Sequence, residues 1–474
     1  MALKTYAISF MSRWQSAVLA AVRGDEGGDD ADSAQDLASD HPVMIASCDA
    51  CEVMEAHVAE GGNPLDFAGD VSKLDLLSTC AQLYVGLAAA KVMGNTERAR
   101  EIESELQYSV CDPLWAKALF EFDKGETQTP YRHYETIDDF VLPLEPRLGA
   151  SSETSTGPPS TGSMKVAFVA DWATGTRLAK NVMRCIGEQQ PDVVIHLGDV
   201  YYSGTKKEMD DHFLSIVREY LPAETLVLSL AGNHDMYAGG EGYYWLLDQL
   251  GQPASYFCLR NDHWQILAIG APPEIGNPLD SQFKLPSIDP KEAEWHRHKL
   301  DTAEGRKTIM LSHYQLFTSS GNIARSPENH PLATNSVLCE AFDGYLEKID
   351  AWLWGHEHNL AVFEPYLGLK RGRCIGSGAI PVALLWTPYE PLEDLALPEG
   401  VDVGPVMMPG CRLGHDGDHY HHAFVVLELK EAVGTMGYYQ VPGVDGDAEL
   451  IYTCLLYTSP SPRDQRGSRM PSSA

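Results

Sequence analysis

The chain has 474 residues, enough for two or three domains and a sizeable core. Its apolar fraction of 44% is ordinary for a soluble globular protein. The formal net charge of −32 argues against general affinity for nucleic acid or anionic membrane, both polyanions, although bound cations can reverse the field locally.

No run of about eighteen apolar residues occurs, so no membrane span is expected. Near the N-terminus Arg13 interrupts the apolar stretch, and Ala17 to Val22 is short for a signal peptide, so this segment reads as an amphipathic helix. The ten cysteines are scattered rather than patterned as a disulfide scaffold, which favours the cytoplasm. Residues 1–147 read as a mainly helical region. Leu74, Leu77, Ala81, Tyr84, Val85 and Ala88 keep helical spacing, Gly94-Asn95 breaks it, and Thr96 to Tyr108 resumes. Residues 24–72 hold no Lys or Arg and many acids, the pattern of a solvated segment. Within it Cys48 and Cys51, with His41 and His57 nearby, fit helix packing better than a zinc site, because no second pair follows.

Residues 148–163 are a Ser/Thr/Gly/Pro linker without core-forming capacity. Beyond it strand and helix signals alternate over 164–452. Val166 to Ala170, Val193 to Leu197, Leu226 to Leu230 and Ile309 to Leu311 read as strands. Arg177 to Gln190, Lys207 to Tyr220 and Lys291 to Thr302 read as helices. That alternation predicts an α/β layered domain whose polar residues fall on loops at strand ends. Residues 453–474 are basic and Ser/Pro-rich, unlike the acidic body, and read as a non-native tail.

Five polar clusters each follow an apolar run: Asp171-Trp172-Ala173, Gly198-Asp199-Val200-Tyr201-Tyr202, Gly232-Asn233-His234-Asp235, Ser312-His313-Tyr314 and Gly355-His356-Glu357-His358. A carboxylate such as Asp199 can bridge two cations about 3.5–4 Å apart. Tyr202 can add a phenolate suited to a trivalent ion, and Asn233 an uncharged oxygen ligand. His234 beside it can act as acid or base. His356 and His358 would point to opposite faces of a strand, so both can ligate only if the segment leaves the sheet as a turn. Singly each motif also reads as a turn or a buried histidine. Together, in this order, they read as a two-metal centre. Residues 411–422 hold four histidines and read as a solvated loop, with lining the mouth of the site or holding an adventitious metal as the alternatives.

These motifs resemble the calcineurin-like metallophosphoesterase superfamily, and within it the small, mammalian-type purple acid phosphatases, over residues 165–429. Glu294-Trp295, Gly376-Ser377-Gly378-Ala379 and a closing strand Ala423 to Leu429 are weaker echoes. Ala173 stands where the superfamily commonly has a histidine, and Tyr202 matches the tyrosine that replaces it in the iron-containing branch. The resemblance implies a four-layer αββα sandwich of two mixed β-sheets, the metallophosphoesterase fold. It implies Fe(III) on Asp199 with Asp171, Tyr202 and His358, and a divalent Fe, Zn or Mn on Asp199 with Asn233, His313 and His356. His234 would protonate the leaving group or bind phosphate. The substrate-side histidine usual nine residues after His313 is Asn322 here, and His330 is its substitute candidate. The implied activity is hydrolysis of small phosphomonoesters, with phosphodiesterase activity and a non-catalytic binding role as alternatives.

Overall fold

The computed structural model describes residues 129–146, 163–270, 285–320, 323–327, 330–384, 387–417 and 419–457. The chain divides into two units, Met1–Glu126 with Asn277–Leu279 and Thr127–Gly276 with Asp280–Ala474, and every described residue belongs to the second. The N-terminal helices, the acidic stretch, the Cys48–Cys51 pair, the linker over 148–162, Asn322 and the tail beyond 457 lie outside the described residues. Among the described residues no helix is long and apolar enough to cross a membrane.

The strands are β1 (Val141–Pro143), β2 (Ser163–Val169), β3 (Val193–His196), β4 (Leu226–Ser229), β5 (Phe257–Arg260), β6 (Trp264–Ala268), β7 (Lys307–Ser312), β8 (Ala351–Trp354), β9 (Leu360–Val362) and β10 (Gly372–Ile375). They continue with β11 (His415–Asp416), β12 (His419–Tyr420), β13 (His422–Lys430), β14 (Val433–Val441) and β15 (Glu449–Tyr457). Seven form one sheet in the order β1-β5-β6-β7-β8-β10-β9, and six form another in the order β15-β14-β13-β2-β3-β4. Both sheets are mixed. β2, β3 and β4 run parallel in the second, and β6, β7, β8 and β10 in the first.

Alternation of side chains along each strand sets the layers. Val166, Phe168, Ile195 and Leu228 of one sheet meet Ile266, Ile309, Leu311 and Leu353 of the other in a central core. From the opposite faces Ala167, Val169 and Val194 pack on α1 (Arg177–Glu188) through Val182 and Ile186. Met310, Trp352 and Trp354 pack on Trp295 and Leu300 of α5 (Pro290–Asp301) and Leu338 of α6 (Ser336–Ala341). Helices, sheet, sheet, helices is the four-layer order expected. The helix starts follow capping chemistry. Thr176 accepts from the Ala179 amide, and Asp289 from Lys291 and Glu292 with Pro290 in the first turn. Residues 206–220 form one helical run: α2 (Lys206–Glu208), a π turn over Met209–Leu214, and α3 (Ser215–Tyr220). α4 (Glu241–Leu250) follows β4.

Three boundaries differ from the sequence reading. Residues 129–146, assigned above to the helical region, are extended and pack on this unit. β1 pairs with β5, Trp295 Nε1 donates to the Asp139 carbonyl at 3.1 Å, and the Tyr131 and Tyr134 hydroxyls bond Glu292 and the Tyr256 carbonyl. Pro130, Pro143 and Pro146 oppose a helix there. The strand over 423–429 does not close the sheet, because β14 and β15 follow it. β15 also runs through Tyr457, five residues past the expected domain end at 452, each paired with β14.

Candidate metal centre

The five motifs sit at the C-terminal ends of β2, β3, β4, β7 and β8, where parallel strands of the two sheets end together. The ends are stitched across the gap between sheets. His313 Nδ1 lies 2.8 Å from the Leu197 carbonyl and the His356 amide donates to Asp171 Oδ2 at 2.9 Å, while within the first sheet the Gly355 amide donates to the His313 carbonyl at 2.9 Å. Asp171, Asp199 and His356 adopt left-handed backbone angles, φ +52°, +75° and +64°. Such angles are costly for residues with a Cβ and gather where a site dictates the backbone.

On one side Asp199 Oδ1 lies 3.6 Å from His313 Nε2, which is 3.2 Å from both Asn233 Oδ1 and His356 Nδ1. Asp199, His313 and His356 form the one group of three potential metal-holding side chains among the described residues. The Leu197 carbonyl can only accept, so in the neutral ring Nδ1 carries the His313 proton and Nε2 presents a lone pair. Asn233 donates its amide to Tyr237 Oη at 2.7 Å, which turns its oxygen inward. A ring nitrogen, an amide oxygen and a carboxylate oxygen thus converge as acceptors.

On the other side the hydroxyl of Tyr201 is 3.2 Å from Asp171 Oδ1, 3.1 Å from Asp199 Oδ2 and 3.1 Å from His358 Nε2. His358 Nε2 lies 3.5 Å from Asp171 Oδ1. One phenolic proton faces two carboxylates and an imidazole. Burial, then Asp199 and Asp171, hold that phenol well above the usual tyrosine range. Both sets are rich in acceptors and poor in protons, the donor chemistry that fits a cation in each. Asp199 offers Oδ1 to one set and Oδ2 to the other.

Tyr202 is buried, its carbonyl 2.6 Å from His234 Nδ1 and its amide donating to Glu208 Oε1 at 2.9 Å. His234 lies beside the sets, its ring 4.5 Å from that of Tyr201 and its amide on Asp199 Oδ1 at 3.0 Å. His356 and His358 reach opposite sets because two tight turns, Glu357 N to Gly355 O and Asn359 N to Glu357 O, take the segment out of the sheet. His330 is not brought into contact with either set. It is half exposed and lies 3.7 Å from Asp394. Its amide donates to Ser326 Oγ at 3.2 Å.

Burial, and then the neighbouring His313, lowers the His356 imidazole to about 3. Burial also lowers His234, against the pull of Asp199. For Asp199 burial pushes upward, but His313, His234 and His356 outweigh it and hold the carboxyl well below its ordinary range. Two glycines make room for this crowding. A Cβ on Gly232 would stand 2.1 Å from Asp199 Oδ1, and one on Gly355 2.6 Å from Asp171 Oδ2.

Sequence reasoning passed over Tyr201 and Asp235, although both lie inside the quoted motifs. The histidine-rich stretch is not simply a solvated loop. β11 and β12 make a short hairpin, and Tyr420 and His421 line a crevice with His358 and Asn359.

Residues 164–360 match the family model described as calcineurin-like phosphoesterase. No curated protein matches the chain. Among solved structures it is similar to GAP50, the anchor in the inner membrane complex of Plasmodium, at 13% identity over 63% of this chain and 89% of that one, with a TM-score of 0.41. PhoD is similar at 10% identity over 64% and 71%, TM-score 0.41. Vacuolar protein sorting 29 of Cryptosporidium parvum is similar at 13% identity over 62% and 98%, TM-score 0.29.

Proposed function

We propose that this chain, whose residues 164–360 match the calcineurin-like phosphoesterase model, is a two-metal hydrolase of small phosphomonoesters. The observation that carries the reading is the pair of acceptor-rich sets sharing Asp199, one oxygen in each. Asp171, Asp199, Tyr201 and His358 would hold a trivalent iron, and Asp199, Asn233, His313 and His356 a divalent Fe, Zn or Mn. Bound ions of this kind supply Lewis acidity toward phosphate oxygens and, from water, hydroxide near neutral pH. Phosphoryl transfer needs positioning and charge stabilisation rather than a nucleophilic side chain, so none is assigned.

The chain's own residues do the rest. With its proton displaced by a bound ion, Tyr201 would join the two aspartates as the anionic donors that favour a trivalent ion. His234 is oriented by the Tyr202 carbonyl, which can only accept and therefore fixes the proton on Nδ1. Nε2 is then the nitrogen that exchanges a proton with the leaving oxygen.

The test is elemental analysis of desalted protein together with turnover of phenyl phosphate and diphenyl phosphate. Nearly two ions per chain, one of them iron, with the monoester cleaved faster, is the expected result. Faster diester cleavage would move the protein to the phosphodiesterases. No tightly held metal after reconstitution would leave a non-catalytic binding role. Asp199→Asn is expected to reduce turnover by at least about 100-fold, and near-native turnover with full occupancy would refute the shared-ligand assignment.

A further inference from the structure

Asp235 follows Asn233 by two residues, and its fully buried carboxylate bonds backbone rather than side chains. Oδ2 accepts from the Asp199 amide at 2.7 Å and the Gly232 amide at 2.6 Å, and Oδ1 from the Val200 amide at 3.0 Å. Two of these amides belong to the loop after β3, which carries Asp199. The third belongs to the loop after β4, which carries Asn233. The β3–β4 ladder stops at His196 and Ser229, with one further bond from Leu230 N to His196 O. Beyond that point the Asp235 carboxylate bonds both loops at once. The loop also closes onto its backbone, since Gly204, at φ +64°, leaves no room for a Cβ, which would stand 2.5 Å from Asp235 Cα.

We propose that Asp235 is a positioning residue that sets the separation of Asp199 and Asn233, and so governs the cation held on the His313 side more than the other. This rests on the two-metal reading above. The other set keeps separate anchors: Asp171 N on Gly198 O at 3.0 Å, Ala379 N on Asp171 O at 3.0 Å, and Tyr201 N on Ala173 O at 3.1 Å. In an Asp235→Asn variant the shape is retained, but one oxygen becomes an amide donor that opposes a backbone N–H.

The experiment is calorimetric titration of metal-free protein with Zn(II), alongside its thermal melting. Wild type is expected to show two binding events. Asp235→Asn should weaken one of them by about 10–100-fold, the range for lost outer-shell partners, and leave the other within about threefold. Glu208→Gln is the matched control. That carboxylate is also buried and also accepts backbone amides, from Tyr202, Ser203 and Thr205 at 2.9, 3.2 and 3.0 Å, but it joins no two ligand loops. It should lower the melting temperature comparably without the selective loss of zinc. If Asp235→Asn does not fold, Asp235→Glu keeps both oxygens and lengthens the arm by one methylene, and should weaken the same event. Unchanged binding in the variants, equal loss of both events, or the same loss in Glu208→Gln overturns the proposal. Fewer than two events in wild type itself would sink the two-metal reading, a failure visible before any Asp235 variant is compared.

Discussion

Two adjacent tyrosines show how finely the centre is set at the scale of single residues. The resemblance points to Tyr202, yet the Tyr201 hydroxyl stands among Asp171, Asp199 and His358. With iron loaded, a phenolate ligand gives a visible charge-transfer absorption. Tyr201→Phe should abolish that band and Tyr202→Phe should keep it, read by absorption spectra of the two reconstituted variants. The opposite pattern would restore the residue that the resemblance selects. Gly232 offers a second handle. The Cβ of Gly232→Ala would press on Asp199 Oδ1, His313 Cε1 and His313 Nε2, at 2.1, 2.6 and 2.6 Å. Zinc affinity is therefore expected to fall by about tenfold or more, the scale of a disturbed ligand shell, measured by competition with a chromophoric chelator. Native affinity would mean that the two loops move apart freely.

At the scale of elements the most consequential one is β15. Nine residues from Glu449 to Tyr457 pair with β14, and Leu456 is buried at the end remote from the expected boundary. Ending the chain at 452 removes five ladder partners and exposes the apolar surface that Leu456 covers, about 2 kcal/mol for that side chain. A chain ending at 452 should therefore melt a few degrees below one ending at 457, by calorimetry or circular dichroism. Equal melting temperatures would mean that the strand's second half adds nothing. The same logic explains why β3, β4 and β7, and the apolar run that becomes β8, stand out in the sequence. Each is short, apolar and buried on both faces, so it stands out against the loops that follow.

Across the whole molecule, stability should depend on pH through histidines folded in their neutral form. His422 is buried at the start of β13, and burial lowers its pKa from 6.5 to about 3. Unfolded, it takes up a proton as pH falls below about 6.5; folded, it does not until about 3. The unfolded chain then binds more protons across that window, and stability falls as pH falls. Between pH 7 and 5 wild type should lose about 1–2 kcal/mol more than His422→Gln, from urea midpoints of both. The comparison with the variant cancels the opposing relief of the −32 net charge. Parallel lines for the two proteins would show that the ring is protonated in the fold.

Local chemistry was enough for much of this. Strand-to-turn transitions, glycines before carboxylates and histidines, and the fixed order of five motifs pointed to an α/β domain and to Asp171, Asp199, Asn233, His313, His356 and His358 as residues that would meet. Those signals are short-range, each carried within a few residues of one strand end. What spans the chain was not legible there. Which of two neighbouring tyrosines turns inward, why His330 faces Asp394, and how Asp235 ties two loops depend on backbone angles and on contacts between strands far apart in sequence. Residues 129–146 and β15 escape a reading of local sequence for the same reason. Extended segments of mixed composition are decided by the partner they pair with, and only the tertiary structure supplies that partner.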